Sequence, residues 1–293
     1  MTESIRADAP GIGEDGPRQP EVPTIRIRSS HGRVPLRLRE VWEYRELLYF
    51  FIWRDIKVRY KQTVIGAGWA IIQPLFTMVI FSLFFGLLAG IPSEGLPYPL
   101  FYYCALLPWM YFAGALNNAT NSIVENQRVI TKVYFPRLIL PLSAVLSGLL
   151  DFAIACLMLV GIMGYYGIRP APTAWLLPLF ILLAMATAFG AGLWSSALNA
   201  VYRDVRYAMP FLIQAWMFVS PVAYPSSLVP EGWRWLYGLN PMAGVIEGFR
   251  WALTGRGRAP DLLLFASSGT VCLLVAGGLF YFRRAERTIA DVV

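Results

Sequence analysis

Asp151 is an acid set where hydrocarbon is expected, near the middle of the apolar stretch 138–166. A carboxylate at the centre of a bilayer costs about 2.5–3.5 kcal/mol on the insertion scale, so it must face other helices or a wet cavity. Acids in that position serve transport pathways, or else tie two helices together by a hydrogen bond. Ser143, Ser147, Asp151 and Ala155 recur every fourth residue and share one helix face. The second set with chemical potential is basic. WEYRELLYFFIWRDIKVRYKQ (42–62) brackets the apolar and aromatic run 47–53 with Arg54, Lys57, Arg59 and Lys61. These cations suit phosphate oxygens, which accept charge-assisted hydrogen bonds.

Other chemistry is not signalled. No G-x-x-x-x-G-K-[ST] loop occurs, and the three lysines, Lys57, Lys61 and Lys132, do not follow glycine, so ATP is not expected to bind in that way. Neither HExxH nor GxSxG is present, and no His/Cys spacing fits a metal. Cys104, Cys156 and Cys272 lie far apart inside apolar stretches and read as small packing residues. His31 stands alone. The chain is therefore not expected to be an enzyme, and any energy it uses must come from a second protein.

The elements that position these residues are membrane spans. Hydrophobic residues make up 57% of the chain and charged ones 15%, against about 25% charged in a soluble domain. Apolar stretches at about 64–89, 100–122, 138–166, 175–200, 209–224 and 262–282 suit the ~20 residues that a helix needs to cross a bilayer. The expected fold is all-α, with six transmembrane helices. Residues 1–40, rich in Pro, Gly, Arg and acids, form an expected disordered tail, and 41–293 form the membrane domain. Of the 25 Lys and Arg, only Arg169, Arg234, Arg250, Arg256 and Arg258 fall on the side opposite the termini. That bias puts both termini in the cytoplasm.

Three further segments flank the spans. Residues 41–62 are too short and too charged to span, and suit an amphipathic helix in the headgroup layer. ENQRVITKVYFPR (125–137) reads as a short cytoplasmic helix ended by Pro136. Residues 225–261 are unlike an ordinary loop. Asn240 then Pro241 supplies an N-cap and a first-turn proline, and Met242, Val245, Ile246, Phe249 and Leu253 follow at helical spacing. With Trp233, Trp235 and Trp251 as interface anchors, this segment is expected to be an external reentrant cap. In the fourth stretch Ala188, Gly192 and Ser196 form a small-residue stripe for close helix packing.

These residues resemble the membrane permease subunit of ABC-type polysaccharide and polyol-phosphate exporters, which move O-antigen, capsule, teichoic acid or galactan chains. The resemblance covers about residue 41 to the C-terminus. RYKQTVIGAGWAIIQP (59–74), ENQRVITKVYFPR (125–137), LNAVYRDVRY (198–207), SPVAYP (220–225) and LNPM (239–242) carry it by their order and spacing. It implies a homodimer in the bacterial inner membrane joined to two copies of a separate ATPase, which binds the ATP and Mg; this chain would hold no cofactor. Glu125, Asn126, Arg128, Lys132, Tyr134 and Arg137 would couple to that ATPase, with Arg203 and Asp204 in a second contact. Arg54, Arg59 and Lys61 would admit a polyprenyl-pyrophosphate-linked glycan. Trp233, Trp235, Asn240 and Pro241 would gate the outer end. Sugar rings present C–H faces that stack on aromatics, so Tyr102, Tyr103, Trp109, Tyr111 and Phe112, with Asp151, are channel candidates; lipid-facing rings are the competing reading. A small-lipid or drug exporter of the same fold is the alternative function, and a membrane-embedded transferase a more distant one.

Overall fold

The computed structural model describes residues 38–61, 66–257 and 262–292, so the expected tail falls almost wholly outside them. Every regular element among the described residues is helical. In chain order they are α1 (Leu38–Glu43), α2 (Arg45–Lys61), α3 (Trp69–Phe81), α4 (Tyr98–Glu125), α5 (Gln127–Ile130), α6 (Ile139–Tyr165), α7 (Leu177–Val201), α8 (Val205–Val219), α9 (Arg234–Gly238), α10 (Pro241–Thr254) and α11 (Leu262–Val292). A π-helical segment, Ser82–Leu88, prolongs α3.

Five helical stretches among the described residues are long and apolar enough to cross a bilayer: Trp69–Leu88, Tyr98–Glu125, Ile139–Tyr165, Pro172–Val201 and Leu264–Glu286. The stretch expected as a further span at 209–224 is α8, which has 15 residues. At 1.5 Å per residue it is about 22 Å long, short of a hydrocarbon core of about 30 Å. Its stop has a local cause. Ser220 precedes Pro221, whose ring disfavours helical backbone in the residue before it, and Ser220 accordingly turns extended, with φ −101° and ψ 154°.

Helix α7 lies between α4 and α11, and small residues let it approach both. A Cβ on Gly192 would come within 2.7 Å of the Ala119 Cβ on α4, and one on Gly190 within 2.9 Å of the α11 backbone at Leu274 and Val275. In lipid, such close contact replaces the hydrophobic drive that water would supply. Polar groups tie the same seam. The Thr120 and Ser195 hydroxyls lie 2.8 Å apart, and Asn199 Nδ2 donates to the Thr120 carbonyl at 3.0 Å.

Helix α4 runs antiparallel to α6. The Tyr103 hydroxyl donates to the Ala155 carbonyl and the Tyr111 hydroxyl to that of Val145, both at 3.1 Å. Because α3, α6, α7, α8 and α10 all pack on it, α4 is buried almost all round.

Helix α10 is part of this core. Met242, Val245, Ile246, Phe249 and Leu253 are buried, as their spacing predicts. Its N-terminus is held by Asn240, which accepts from Met242 N at 3.0 Å and from Trp216 Nε1 at 2.9 Å. Its C-terminal carbonyls receive Ala171 N and the Thr173 hydroxyl from the segment between α6 and α7.

Candidate functional site

The site is a cavity of about 610 Å³ bounded by the end of α2, the start of α3, and the middles of α4 and α6. Trp69, Gln73 and Thr77 line it from α3, Trp109, Tyr111 and Asn118 from α4, and Gly148, Asp151 and Phe152 from α6. The lining mixes aromatic faces with amide and hydroxyl groups and contains one ion pair. Helix α6 presents Gly148, Asp151, Phe152 and Ala155 to the cavity, so small residues flank the one acid and the one ring. The ring of Tyr111 lies against Gly148, where an added Cβ would sit 3.3 Å from Cε2.

Asp151 does not stand alone. Arg59 Nη1 donates to Asp151 Oδ2, and the Tyr60 hydroxyl donates to Asp151 Oδ1, so each carboxylate oxygen has a donor from the end of α2. The Arg59 and Asp151 side chains are 31% and 33% exposed, toward the cavity. A residue expected to admit substrate and one expected in the channel thus form one polar centre, although 91 residues separate them.

The other expected admission residues go elsewhere. Arg54 donates through Nη1 to Asn126 Oδ1 at 2.7 Å and through Nη2 to Asp55 at 2.7 Å, with its guanidinium 4.7 Å from the Phe51 ring centroid. It braces the turn ahead of α5 rather than facing the cavity. Lys61 is exposed and outside the lining. Lower on α2, Phe51 packs on Phe135 with ring centroids 5.6 Å apart. Helix α2 therefore packs against α6 at its foot and near its midpoint.

The channel aromatics divide in the same way. Trp109 and Tyr111 line the cavity. Tyr102, Tyr103 and Phe112 lie in the core of the chain with no exposed surface. Tyr102 packs on Phe81 and Phe101, and Phe112 on Trp109 and Trp216. Trp69, Gln73 and Asn118 are cavity residues that were missed, and only the helical register of α3 against α4 could have identified them.

At the end of the bundle carrying α5, Arg128, Lys132 and Tyr134 project outward, with Tyr134 83% exposed, and Arg203 and Asp204 are exposed beside the start of α8. Glu125 is exposed as well, whereas Asn126 is buried. Arg137 turns inward, donating to the Glu286 carbonyl of α11 at 2.9 Å. Arg128, Lys132 and Tyr134 thus form an exposed polar patch on and just after a short helix.

At the opposite end, Trp233 and Trp235 are exposed while Asn240 and Pro241 are fixed against α8 and α11. Arg250 is 2% exposed: Nη2 donates to the Pro221 carbonyl at 3.0 Å, and its guanidinium carbon lies 3.8 Å from the Phe101 ring centroid. Nearby Glu247 accepts from Ser226 N at 3.1 Å. Burial pushes the Glu247 carboxyl above its usual range, against the Ser226 hydrogen bonds and the Arg250 charge, which pull it down.

Comparison with known proteins places this geometry in a family. Residues 46–254 match the model for ABC-2 type transporters. The chain is 29% identical over 255 residues to the O-antigen export system permease protein RfbA of Myxococcus xanthus, covering 85% of this chain and 96% of that protein. It is 30% identical over 250 residues to RfbA of Klebsiella pneumoniae, covering 85% and 95% respectively. A more distant relative is the polysialic acid transport protein KpsM of Escherichia coli, 25% identical over 66% of this chain and 76% of that protein. Matches of this extent, on a helical bundle with several apolar spans and a cavity of mixed aromatic and polar lining, mean that the chain belongs to the ABC-2 type transporter family, as its membrane permease subunit.

Proposed function

We propose that this chain is the permease of an ABC exporter that carries a lipid-linked polysaccharide, of the O-antigen kind, across the bacterial inner membrane. The observation that carries the reading is the cavity. Trp69, Trp109 and Tyr111 offer faces to sugar C–H groups, while Gln73 and Asn118 offer hydrogen bonds along the same wall. A polymer must slide, so its path needs many weak contacts rather than one tight pocket. The names of the RfbA relatives support the same substrate class.

Two copies would place the open sides of their cavities together. Exposed apolar residues on α3, its π-helical extension and α8, Phe76, Phe84, Phe211 and Phe218 among them, suit a second copy or lipid. Helix α8 and the turn after it would complete a sixth crossing, leaving both termini in the cytoplasm in line with the excess of Lys and Arg on that side. The patch of Arg128, Lys132 and Tyr134, with Arg203 and Asp204, would dock an ABC ATPase that supplies ATP and Mg. Trp42, Tyr49, Phe50 and Trp53, exposed on α1 and α2, would sit in the headgroup layer. Trp233 and Trp235 would anchor the external cap.

The test is deletion of the gene followed by assay of surface glycan. The reading predicts loss of surface polymer, with its lipid-linked precursor accumulating inside. Unchanged export with no precursor would refute it.

A further inference from the structure

Helix α2 joins two places that the export reading treats separately. Arg54 holds Asn126, the residue that opens the turn into α5. One and a half turns further on, Arg59 and Tyr60 hold Asp151 at the cavity wall. Each oxygen of Asp151 receives one donor, an arrangement that two oxygens of a phosphate group would fit equally well. While the pair is closed its net charge is zero, so it offers an incoming anion nothing. An anion drawn to Arg59 without moving Asp151 would instead meet a like charge in a half-buried site, which is unfavourable. Anion and carboxylate therefore compete for the same donors.

Resting on the export reading, we propose that Asp151 is a resident stand-in for the substrate's phosphate. It occupies Arg59 and Tyr60 while the cavity is empty and yields them to a diphosphate headgroup. The exchange is of hydrogen-bond partners only; no covalent bond forms or breaks. Asp151 lines the cavity itself, so the open volume beside it gives the carboxylate somewhere to swing. Exchange releases the end of α2 from the midpoint of α6 while Arg54 keeps its grip on Asn126. The arrival of a headgroup is thereby transmitted along α2 to the exposed patch around α5. Asp151 is thus a specificity-determining residue: a lipid without a strong anionic head cannot displace it.

The test uses the permease with its ATPase partner in nanodiscs of phosphatidylethanolamine and phosphatidylglycerol. The probe is a fluorescent short-chain polyprenyl diphosphate. A pair closed about nine times in ten lowers apparent affinity about ten-fold. Asp151→Asn, which removes the competing charge, should therefore bind the probe about ten-fold more tightly than wild type. Arg59→Gln should bind at least ten-fold more weakly, and the double variant should behave like Arg59→Gln. Asp151→Glu, which keeps the pair, should stay near wild type. Unchanged or weaker binding by Asp151→Asn, with Arg59→Gln still impaired, overturns the stand-in role alone, because it leaves Arg59 as a plain phosphate contact.

A second measurement does not depend on that variant folding. Spin labels at the exposed positions Val58 and Leu157 report the separation of α2 and α6. Saturating probe should lengthen their distance, and a fixed distance counts against the proposal. A wild-type complex that ignores the diphosphate probe overturns the proposal, while stimulation of its ATPase by lipid-linked glycan tests the export reading separately.

Discussion

Arg250 should be a structural cation whose removal loosens the end of the bundle that holds α10. It is 2% exposed, donates to the Pro221 carbonyl at 3.0 Å and lies over the Phe101 ring at 3.8 Å. Arg250→Met keeps much of the volume and removes the charge. A hydrogen bond from a charged donor contributes about 1.5–3 kcal/mol, and a desolvated cation over an aromatic face about 2 kcal/mol. Against this, methionine is spared the desolvation of a buried guanidinium, and Arg250 Nε finds no acceptor among the described residues. The expected net loss is about 2–4 kcal/mol. Titration of the purified protein with a denaturing detergent, followed by tryptophan fluorescence, would read it directly. Phe101→Leu alone should cost less, and in the double variant the losses should fall short of additive by about 1 kcal/mol. An Arg250→Met protein as stable as wild type, or more so, would refute the reasoning. The cation would then be merely tolerated, as some buried ions are when apolar residues replace them.

Three further outcomes follow from the same geometry. Gly248→Val should lower thermal stability sharply, because a Cβ there would lie 1.9 Å from Phe180 Cε1; Phe180→Ala in the same chain should restore part of the loss, and a melting curve checks both. Arg54→Gln or Asn126→Ala should lower substrate-stimulated ATP hydrolysis by the complex several-fold with membrane insertion intact, since each frees the turn ahead of α5; hydrolysis rates in proteoliposomes check this. Burial holds the Glu247 pKa above the usual 4.5, so the folded protein keeps that proton to higher pH than the unfolded chain does. Stability from this group is full below the unfolded pKa and is lost as pH rises through the folded one. Glu247→Gln should flatten that part of the stability–pH curve.

The apolar spans were readable because hydrocarbon demands length and composition that few other segments supply, and five of the six expected stretches are helices of spanning length. The helix after Asn240 was readable from its N-cap and its 3.6-residue period. Its depth was not: that required knowing that Gly248 would meet Phe180 and that Arg250 would meet Pro221. The end of helix α8 at Val219 was not readable from composition, because the apolar run continues to Tyr224 while Ser220, ahead of Pro221, turns extended. The aromatic run on α4 gave no hint of which rings face the cavity, since a helix packed from many sides buries residues at every register position. The pairing of Arg59 with Asp151 was unreadable in principle. Each residue was notable alone, but nothing local to either names a partner 92 positions away.

The central claim is that the cavity beside Trp109 and Tyr111 carries a glycan across the membrane on power drawn from a partner ATPase. A photoreactive residue placed at Trp109, in the complex reconstituted with lipid-linked glycan and ATP, tests it most directly. The account predicts adducts that carry sugar and that depend on ATP hydrolysis, while the same residue at lipid-exposed Leu157 captures only phospholipid. Sugar-free adducts at Trp109 during active export would contradict it.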